Sequence, residues 1–117
     1  MKCKPEFASI FKCISAKVSK TKFTCDTATQ ITLKGILDSQ PLYVKVEEGH
    51  AETCPYEYRN APFYIDADTE VFASVLSGDK SFFDALASGD ITINGDARQA
   101  VLFVNSLFGG AADGRKA

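Results

Sequence analysis

Residues Gly89 to Asp96 read Gly-Asp-Ile-Thr-Ile-Asn-Gly-Asp, and this octet contains a strand between two helix signals. Ile91 and Ile93 alternate with polar residues, as in a strand with one buried face. Glycine is typical of a helix C-terminus, so Gly89 ends the preceding helix. Aspartate is a preferred N-cap residue, so Asp96 begins the next helix. The octet therefore predicts a helix, a strand over 90–94 and a second helix, in that order.

Two short helices are predicted before the octet and a longer one after it. Asp68 is a candidate N-cap for the first helix, which ends at Gly78, and Asp79 or Ser81 begins the second. The last helix extends from Ala97 to Phe108. In the two short helices the apolar residues recur at helical spacing. These residues are Val71, Phe72, Val75 and Leu76 in the first helix and Phe82, Phe83 and Leu86 in the second.

The front half begins with an amphipathic helix and continues with strands. Apolar residues recur at i, i+3, i+4, i+7 and i+11 in the helix, and from Gln30 their period changes to two. Asp38 to Pro41 is the predicted turn between the first two strands. The third strand, His50 to Tyr58, contains Pro55, which favours an edge or a bulge. The apolar positions are Phe7, Ile10, Phe11, Ile14 and Val18 in the helix, and Ile31, Leu33, Leu37, Leu42, Val44, Val46, Phe63 and Ile65 in the strands.

The predicted element order is helix, four strands, two short helices, strand and helix. We expect the four consecutive strands to form an antiparallel meander. The fold class is therefore α+β, a five-stranded and mostly antiparallel sheet with helices on one face. The 117 residues, 45% of them hydrophobic, suffice for a single domain over 1–110, with a flexible tail over 111–117.

The composition excludes several function classes. The formal net charge is −2, whereas nucleic-acid-binding domains are normally basic, so no nucleic-acid partner is expected. No apolar run approaches the roughly 20 residues of a transmembrane helix. Residues Met1 to Glu6 lack the apolar region of a secretory signal. We therefore expect a cytoplasmic protein with its cysteines in the thiol form.

Catalytic and metal-binding patterns find little support in the sequence. His50 is the single histidine, and neither GxSxG nor HExxH occurs. A metal site from Cys3, Cys13, His50 and Cys54 is the less favoured interpretation, because the spacing contains no CxxC pair. We predict no catalytic residue, no metal and no cofactor.

The charge is unevenly distributed along the chain. Residues 1–22 contain six lysines and a single acidic residue, Glu6. A basic leading segment can bind an anionic membrane transiently, here through Lys2, Lys4 and Lys12. The alternative, a helix face exposed to water, is the more common role of lysine.

Residues Val71 to Lys80 and Phe82 to Asp96 together resemble the sterol carrier protein 2 domain. That family has a short helix ending in Gly-Lys and a second short helix with a large apolar face. Gly-Lys-aliphatic-x-aliphatic-x-Gly-Asp and a closing helix then follow. The similar stretch extends from Phe63 to Phe108 in this sequence. The resemblance implies a five-stranded sheet backed by helices, with a hydrophobic tunnel between them that holds a lipid, a fatty acyl chain or another apolar molecule.

The back half also has more apolar side chains than one buried face requires. On a helix the adjacent Phe82 and Phe83 point about 100° apart and cannot fill one narrow seam. In the last helix, Leu102 and Phe103 lie outside the apolar stripe formed by Ala100, Val101, Val104, Leu107 and Phe108. The side chains that the sheet does not cover need a second apolar environment. This environment is a ligand cavity, a dimer partner or a membrane surface. A well-packed core remains the alternative for the phenylalanines.

Two functional hypotheses follow. The first is a non-catalytic carrier that holds an apolar small molecule, of fatty acyl, sterol-like or other lipid type, in a hydrophobic cavity. The second is an interaction or dimerisation module, without a ligand of its own, that assists an enzyme acting on apolar substrates. Both a monomer and a homodimer remain open. The predicted cavity residues are Phe72, Val75, Leu76, Phe82, Phe83, Leu86, Val101, Phe103, Val104 and Phe108.

Overall fold

A computed structural model describes residues 6–23, 26–35 and 40–108 of the chain. Within these ranges the chain forms helices and strands in the predicted order. The elements are α1 (Phe7–Lys20), β1 (Thr27–Lys34), β2 (Gln40–Glu47), β3 (His50–Cys54), β4 (Phe63–Asp68), α2 (Thr69–Ser77), α3 (Phe82–Ser88), β5 (Ile91–Gly95) and α4 (Ala97–Leu107).

The five strands form one mixed sheet in the order β3-β2-β1-β4-β5. The pairs β1–β2, β2–β3 and β4–β5 are antiparallel, which confirms the mostly antiparallel prediction. The predicted four-strand meander is wrong for β4, which pairs in parallel with β1 and places Ile65 opposite Ile31. Alternating burial indicates which face of a strand is covered but not which strand lies beside it.

The hydrophobic core lies between the helices and one face of the sheet. Alternate residues of β1, β2 and β4 are buried on that face, while the residues between them are mostly polar. Three residues of α1 cover them from the helical side. The residues of α1 are Ile10, Ile14 and Val18, and the strand residues include Ile31, Leu33, Leu42, Val44, Phe63 and Ile65. This two-layer arrangement explains why each strand shows period-two hydrophobicity.

Residues 55–62 connect β3 to β4 across the outer face of the sheet. The backbone N–H of Tyr58 donates to Oε1 of Gln30 on β1, at 3.1 Å. The Tyr58 ring packs on that of Tyr43 on β2, with centroids 5.0 Å apart. The predicted third strand ends early, at Cys54, because Pro55 has no N–H to continue the ladder.

Other boundaries also differ from the predictions. The first strand begins at Thr27 rather than Gln30, because the buried hydroxyl groups of Thr27 and Thr29 find partners. These partners are Oε1 of Gln99 at 2.7 Å and the carbonyl oxygen of Phe63 at 3.1 Å. Of the predicted turn over 38–41, the first two residues lie outside the described ranges, and the last two belong to β2.

The predicted helix caps are confirmed. Oδ2 of Asp68 accepts the N–H of Val71 at 3.2 Å, and Oδ1 of Asp96 accepts the N–H of Gln99 at 3.1 Å. Oγ of Ser81 likewise accepts an N–H in the first turn of α3. Such caps satisfy backbone donors that have no partner within the helix.

Gly95 in the octet allows a close approach between two chain segments. Its φ is 117°, and a Cβ atom there would lie 2.5 Å from the carbonyl oxygen of Pro62. The same carbonyl accepts the N–H of Asp96 at 2.8 Å. A side chain at position 95 would therefore separate β5 from the start of β4.

In the parts of the chain that the structure describes, no helix combines the length and the hydrophobicity needed to cross a membrane.

Candidate ligand-binding site

Phenylalanines from several elements meet between the sheet and the helices. Phe72 of α2, Phe82 of α3 and Phe103 of α4 are almost completely buried. The Phe103 ring lies between Phe63 of β4, at 5.6 Å, and Phe23, which stacks on it at 5.4 Å. Aromatic pairs at these distances stabilise a core by more than their buried apolar area alone accounts for. The layer between sheet and helices is therefore rich in aromatic carbon.

A second aromatic contact joins three helices at the end of α4. The Phe108 ring stacks on Phe82 with centroids 4.6 Å apart and an interplanar angle of 11°. Nζ of Lys17, on α1, lies 5.6 Å from the centroid of the same ring. This distance allows a cation–π contact. Phe108 thus links α1, α3 and α4 at one edge of the core.

The structure brings eight of the ten predicted cavity residues into or against one core cluster and leaves two at the surface. Val101 is 56% exposed and Phe83 is 43% exposed. The residues in the core are Phe72, Val75, Phe82, Phe103 and Val104, and those packed against it are Leu76, Leu86 and Phe108.

The predicted stripe of the last helix needs correction. The spacing predicts Val101 in the stripe and Phe103 outside it, whereas the structure exposes Val101 and buries Phe103. Ala100, Val104 and Leu107 are buried as predicted. A helix that is apolar on adjoining faces offers two stripes that share most residues, so spacing alone does not identify the buried one.

Phe82 and Phe83 point in different directions, as their adjacency predicts. Phe82 is 2% exposed, and the two rings meet edge-on with centroids 5.8 Å apart. Phe83 and Leu102 of α4 leave large apolar groups in water, Leu102 being 39% exposed. The outer surface of α3 and α4 therefore has apolar groups that the core does not use.

The described interior is lined by apolar side chains, and its buried hydroxyl groups already have hydrogen-bond partners within the protein. Apart from apolar groups, the buried residues of the described chain are Thr27, Thr29 and Thr69. Each threonine hydroxyl donates to an oxygen acceptor within the protein. A molecule held between the layers would therefore be bound by its apolar surface.

The candidate metal ligands that the structure describes lie on two separate elements, and one of them, Cys13, packs against the core cluster. His50 and Cys54 are at the two ends of β3, Cys13 is on α1, and Cys3 lies outside the described ranges. Across the ranges 6–23, 26–35 and 40–108, no three His, Cys, Asp or Glu side chains are grouped as metal ligands.

Tyr43 on the outer sheet face has an altered pKa. A hydrogen bond with Cys54, followed by desolvation, raises the pKa of the Tyr43 phenol to about 12. A phenol with this pKa stays neutral at physiological pH, so it is poorly suited to act as a general base.

A cavity that the hydrophobic pattern of the sequence does not indicate lies along α1, between this helix and Pro55. Its volume is about 660 Å³. Phe7 and Phe11 of the predicted apolar stripe border it, and both are half-buried and pack against the core. Small side chains line much of its length and give no hydrophobic signal in the sequence. The lining residues are Phe7, Ala8, Phe11, Lys12, Ser15, Ala16, Ser19 and Pro55.

A more polar cavity of about 500 Å³ lies on the outer sheet face beside the 55–62 connection. Gln30, Tyr58 and Tyr64 border it, together with the charged Glu57 and Arg59. Its polar lining does not suit an apolar molecule.

Comparison with solved structures identifies the fold. The chain is similar to palmitated sterol carrier protein 2-like 2 from Aedes aegypti, with a TM-score of 0.70 and 16% identity over 92% of this chain and 95% of that one. It is also similar to apo sterol carrier protein 2 from Yarrowia lipolytica, with a TM-score of 0.66 and 13% identity over 87% of this chain and 99% of that one. The chain has the sterol carrier protein 2 fold, which confirms the resemblance found in the sequence.

The same fold also occurs within a larger enzyme. The sec-alkylsulfatase Pisa1 from Pseudomonas sp. matches with a TM-score of 0.56 and 10% identity, over 83% of this chain but 14% of the enzyme. No protein-family model matches the sequence. No curated protein is similar to it in sequence.

Proposed function

We propose that the protein is a non-catalytic carrier that binds an apolar molecule with a fatty acyl or sterol-like part. The observation that carries the proposal is the helix-on-sheet layer of aromatic residues in a sterol carrier protein 2 fold. The similarity to a palmitated protein of this fold supports an acyl ligand. Each ligand methylene buried there contributes about 0.8 kcal/mol, offset by the loss of ligand freedom.

The ligand would enter where α3 and α4 meet, near the Phe82–Phe108 stack. This stack joins short helices at the edge of the core, whereas Phe72 and Phe103 lie deeper. Opening the stack separates helices without breaking the sheet. The proposed lining comprises the eight predicted residues that lie in or against the core, and the exposed Phe83 and Val101 lie outside it.

The test is native mass spectrometry of freshly purified protein, followed by solvent extraction and titration of the delipidated protein with palmitate. We expect one apolar adduct per chain. Phe108→Ala should weaken palmitate binding, whereas Val101→Ala, on the exposed side of the same helix, should leave it nearly unchanged. A delipidated protein that keeps its fold and takes up no palmitate would refute the carrier function.

We further propose that the carrier releases its ligand at an anionic membrane. Lys12, Lys20 and Lys22 are exposed on or just after α1, while Lys2 and Lys4 lie outside the described ranges. Such contacts weaken as salt increases, because the Debye length falls to about 8 Å at physiological ionic strength. Release to phosphatidylserine vesicles should be faster than to phosphatidylcholine vesicles and should slow with added salt.

The second candidate function is an accessory module for an enzyme acting on apolar substrates. The occurrence of the fold within an alkylsulfatase supports this role. A ligand-free dimer or a stable complex with an enzyme, observed by size-exclusion chromatography with light scattering, would favour it over the carrier. We also propose that 1–110 is one domain with a tail over 111–117, that the protein is cytoplasmic and that it uses no cofactor. Limited proteolysis and cell fractionation test the first two.

A further inference from the structure

The cavity along α1, here called the α1 groove, shares no residue with the proposed interior lining. Ala8, Lys12, Ala16 and Ser19 are exposed on the groove, whereas the buried residues of α1 lie on another face. These buried residues are Ile10, Ile14 and Val18. Phe7 and Phe11, at the boundary between the two faces, line the groove and also pack against the core. With 100° between successive residues, these two sets occupy different faces of the helix. A molecule in the α1 groove would therefore not occupy the interior.

The α1 groove extends along most of the helix, from Phe7 to Ser19. From Phe7 to Ser19 the helix rises about 18 Å at 1.5 Å per residue. A saturated chain advances about 1.25 Å per carbon, for C–C bonds of about 1.5 Å at tetrahedral angles, so this length suits about 14 carbons. The groove volume of about 660 Å³ lies within the usual range for small-molecule sites.

The surface of the α1 groove suits an apolar chain. The Phe7 and Phe11 rings stack with centroids 6.1 Å apart, and Pro55 contributes from the 55–62 connection. The Ser19 hydroxyl donates to the carbonyl oxygen of Ala16 at 2.9 Å, so its hydrogen is already bonded within the helix. Covering this part of the groove with methylene groups leaves that bond in place.

One charge borders the α1 groove, and it is positive. Lys12 is exposed and has no ion-pair or hydrogen-bond partner among the described residues. An ammonium group beside an apolar groove is complementary to a carboxylate on an apolar chain. Two antiparallel copies of α1 would instead bring Lys12 close to its own equivalent, which opposes self-association.

The small size of the groove's lining residues also favours a single chain over a bilayer. A helix that lies in a membrane presents large apolar side chains on its binding face. Here much of the lining is small, namely Ala8, Ser15, Ala16 and Ser19, and these residues form a depression. A depression contacts one inserted chain better than a flat lipid surface.

We propose that the α1 groove is a second binding site, for a single-chain carboxylate amphiphile whose head group pairs with Lys12. The site is distinct from the proposed interior site, because the two share no lining residue, although Phe7 and Phe11 of the groove also pack against the core. A long-chain carboxylate can therefore bind outside the core even where the interior is filled.

The experiment is a titration of the full-length ¹⁵N-labelled protein with laurate, below its micelle concentration, followed by amide chemical shifts. We expect saturable shifts at Ala8, Lys12, Ala16 and Ser19. Lys12→Glu should raise the laurate Kd about five- to twentyfold, as expected for reversing an exposed charge contact. Lys22→Glu is the matched control, with the same charge change on an exposed lysine beyond the helix, and should alter the Kd less than twofold. Ala16→Trp fills the groove without reaching the core and should abolish the shifts.

The amide chemical shifts of Phe72 and Val104 report binding in the interior. If the carrier function fails, these shifts stay unchanged, whereas if the groove site fails, the shifts of the groove amides stay unchanged. Dodecyltrimethylammonium, with the same chain and the opposite charge, should bind the groove at least tenfold more weakly than laurate. The proposal is wrong if the groove amides do not respond to laurate. It is also wrong if they respond to phosphatidylserine vesicles alone, which identifies a membrane surface, or to protein concentration alone, which identifies a second copy.

Discussion

Replacing Phe103 by alanine measures whether the aromatic layer is densely packed or borders open space. Phe103 is 1% exposed and contacts Phe23 and Phe63 through its ring. Truncating a buried phenylalanine in a packed core costs about 3–5 kcal/mol, the aromatic contacts included. We therefore expect Phe103→Ala to lower the free energy of unfolding of the delipidated protein by about 3–5 kcal/mol.

Urea denaturation followed by circular dichroism gives this value, provided that the m-value stays constant. Val101→Ala is the control, because Val101 is 56% exposed and its truncation should change stability by about 0.5 kcal/mol or less. A loss below about 1.5 kcal/mol for Phe103→Ala would refute the packing argument, since it means that the ring already borders a void. Palmitate should then restore more stability to the variant than to the native protein.

Three further predictions concern other parts of the fold. Gly95→Ala should lower the free energy of unfolding by about 2 kcal/mol or more, because the alanine Cβ would lie 2.5 Å from the Pro62 carbonyl oxygen. Thermal denaturation measures the change, and an unchanged Tm would contradict the prediction. Asp68→Ala should cost about 1 kcal/mol through loss of the α2 cap, whereas Asp68→Asn should retain most of the stability in the same denaturation assay. The Tyr43 phenol should titrate near pH 12 in ultraviolet difference spectra. Because its folded pKa lies above the unfolded value of about 10, the stability that it contributes is complete below pH 10 and is lost as the pH rises towards 12. Cys54→Ala should move the titration midpoint back towards 10, and a midpoint that does not move would show that the thiol is not the cause.

The elements were predictable because their signals are local. Asp68, Ser81 and Asp96 cap helices through side chains two or three residues from the N–H groups that they accept. The octet around β5 combines such a cap with a helix-ending glycine, Gly89, whose φ is 89°. Both partners of each interaction lie within the same short segment, so the local sequence is sufficient to predict it.

The strand order and the site were less accessible from the sequence. The parallel pairing of β1 with β4 depends on contacts such as that of Thr29 with Phe63, which no local pattern indicates. The choice between Val101 and Phe103 depends on how α4 is rotated against the sheet. The α1 groove was missed because alanine and serine give no hydrophobic period, although they leave the space that forms it.

The parallel pairing of β1 with β4 also determines how fast the chain can fold. The hydrogen bond from Thr29 to Phe63 joins residues 34 positions apart, so forming it first would close a long flexible loop. If β1, β2 and β3 have already paired, the remaining flexible segment is the connection 55–62. Closing this shorter loop costs about 1.3 kcal/mol less in conformational entropy than closing the longer one. That difference corresponds to a roughly tenfold faster pairing of β1 with β4. Folding through the β1–β2–β3 hairpins is therefore the faster route. On this route, β4 pairs with a sheet of three strands that has already formed, and β5 then pairs with β4.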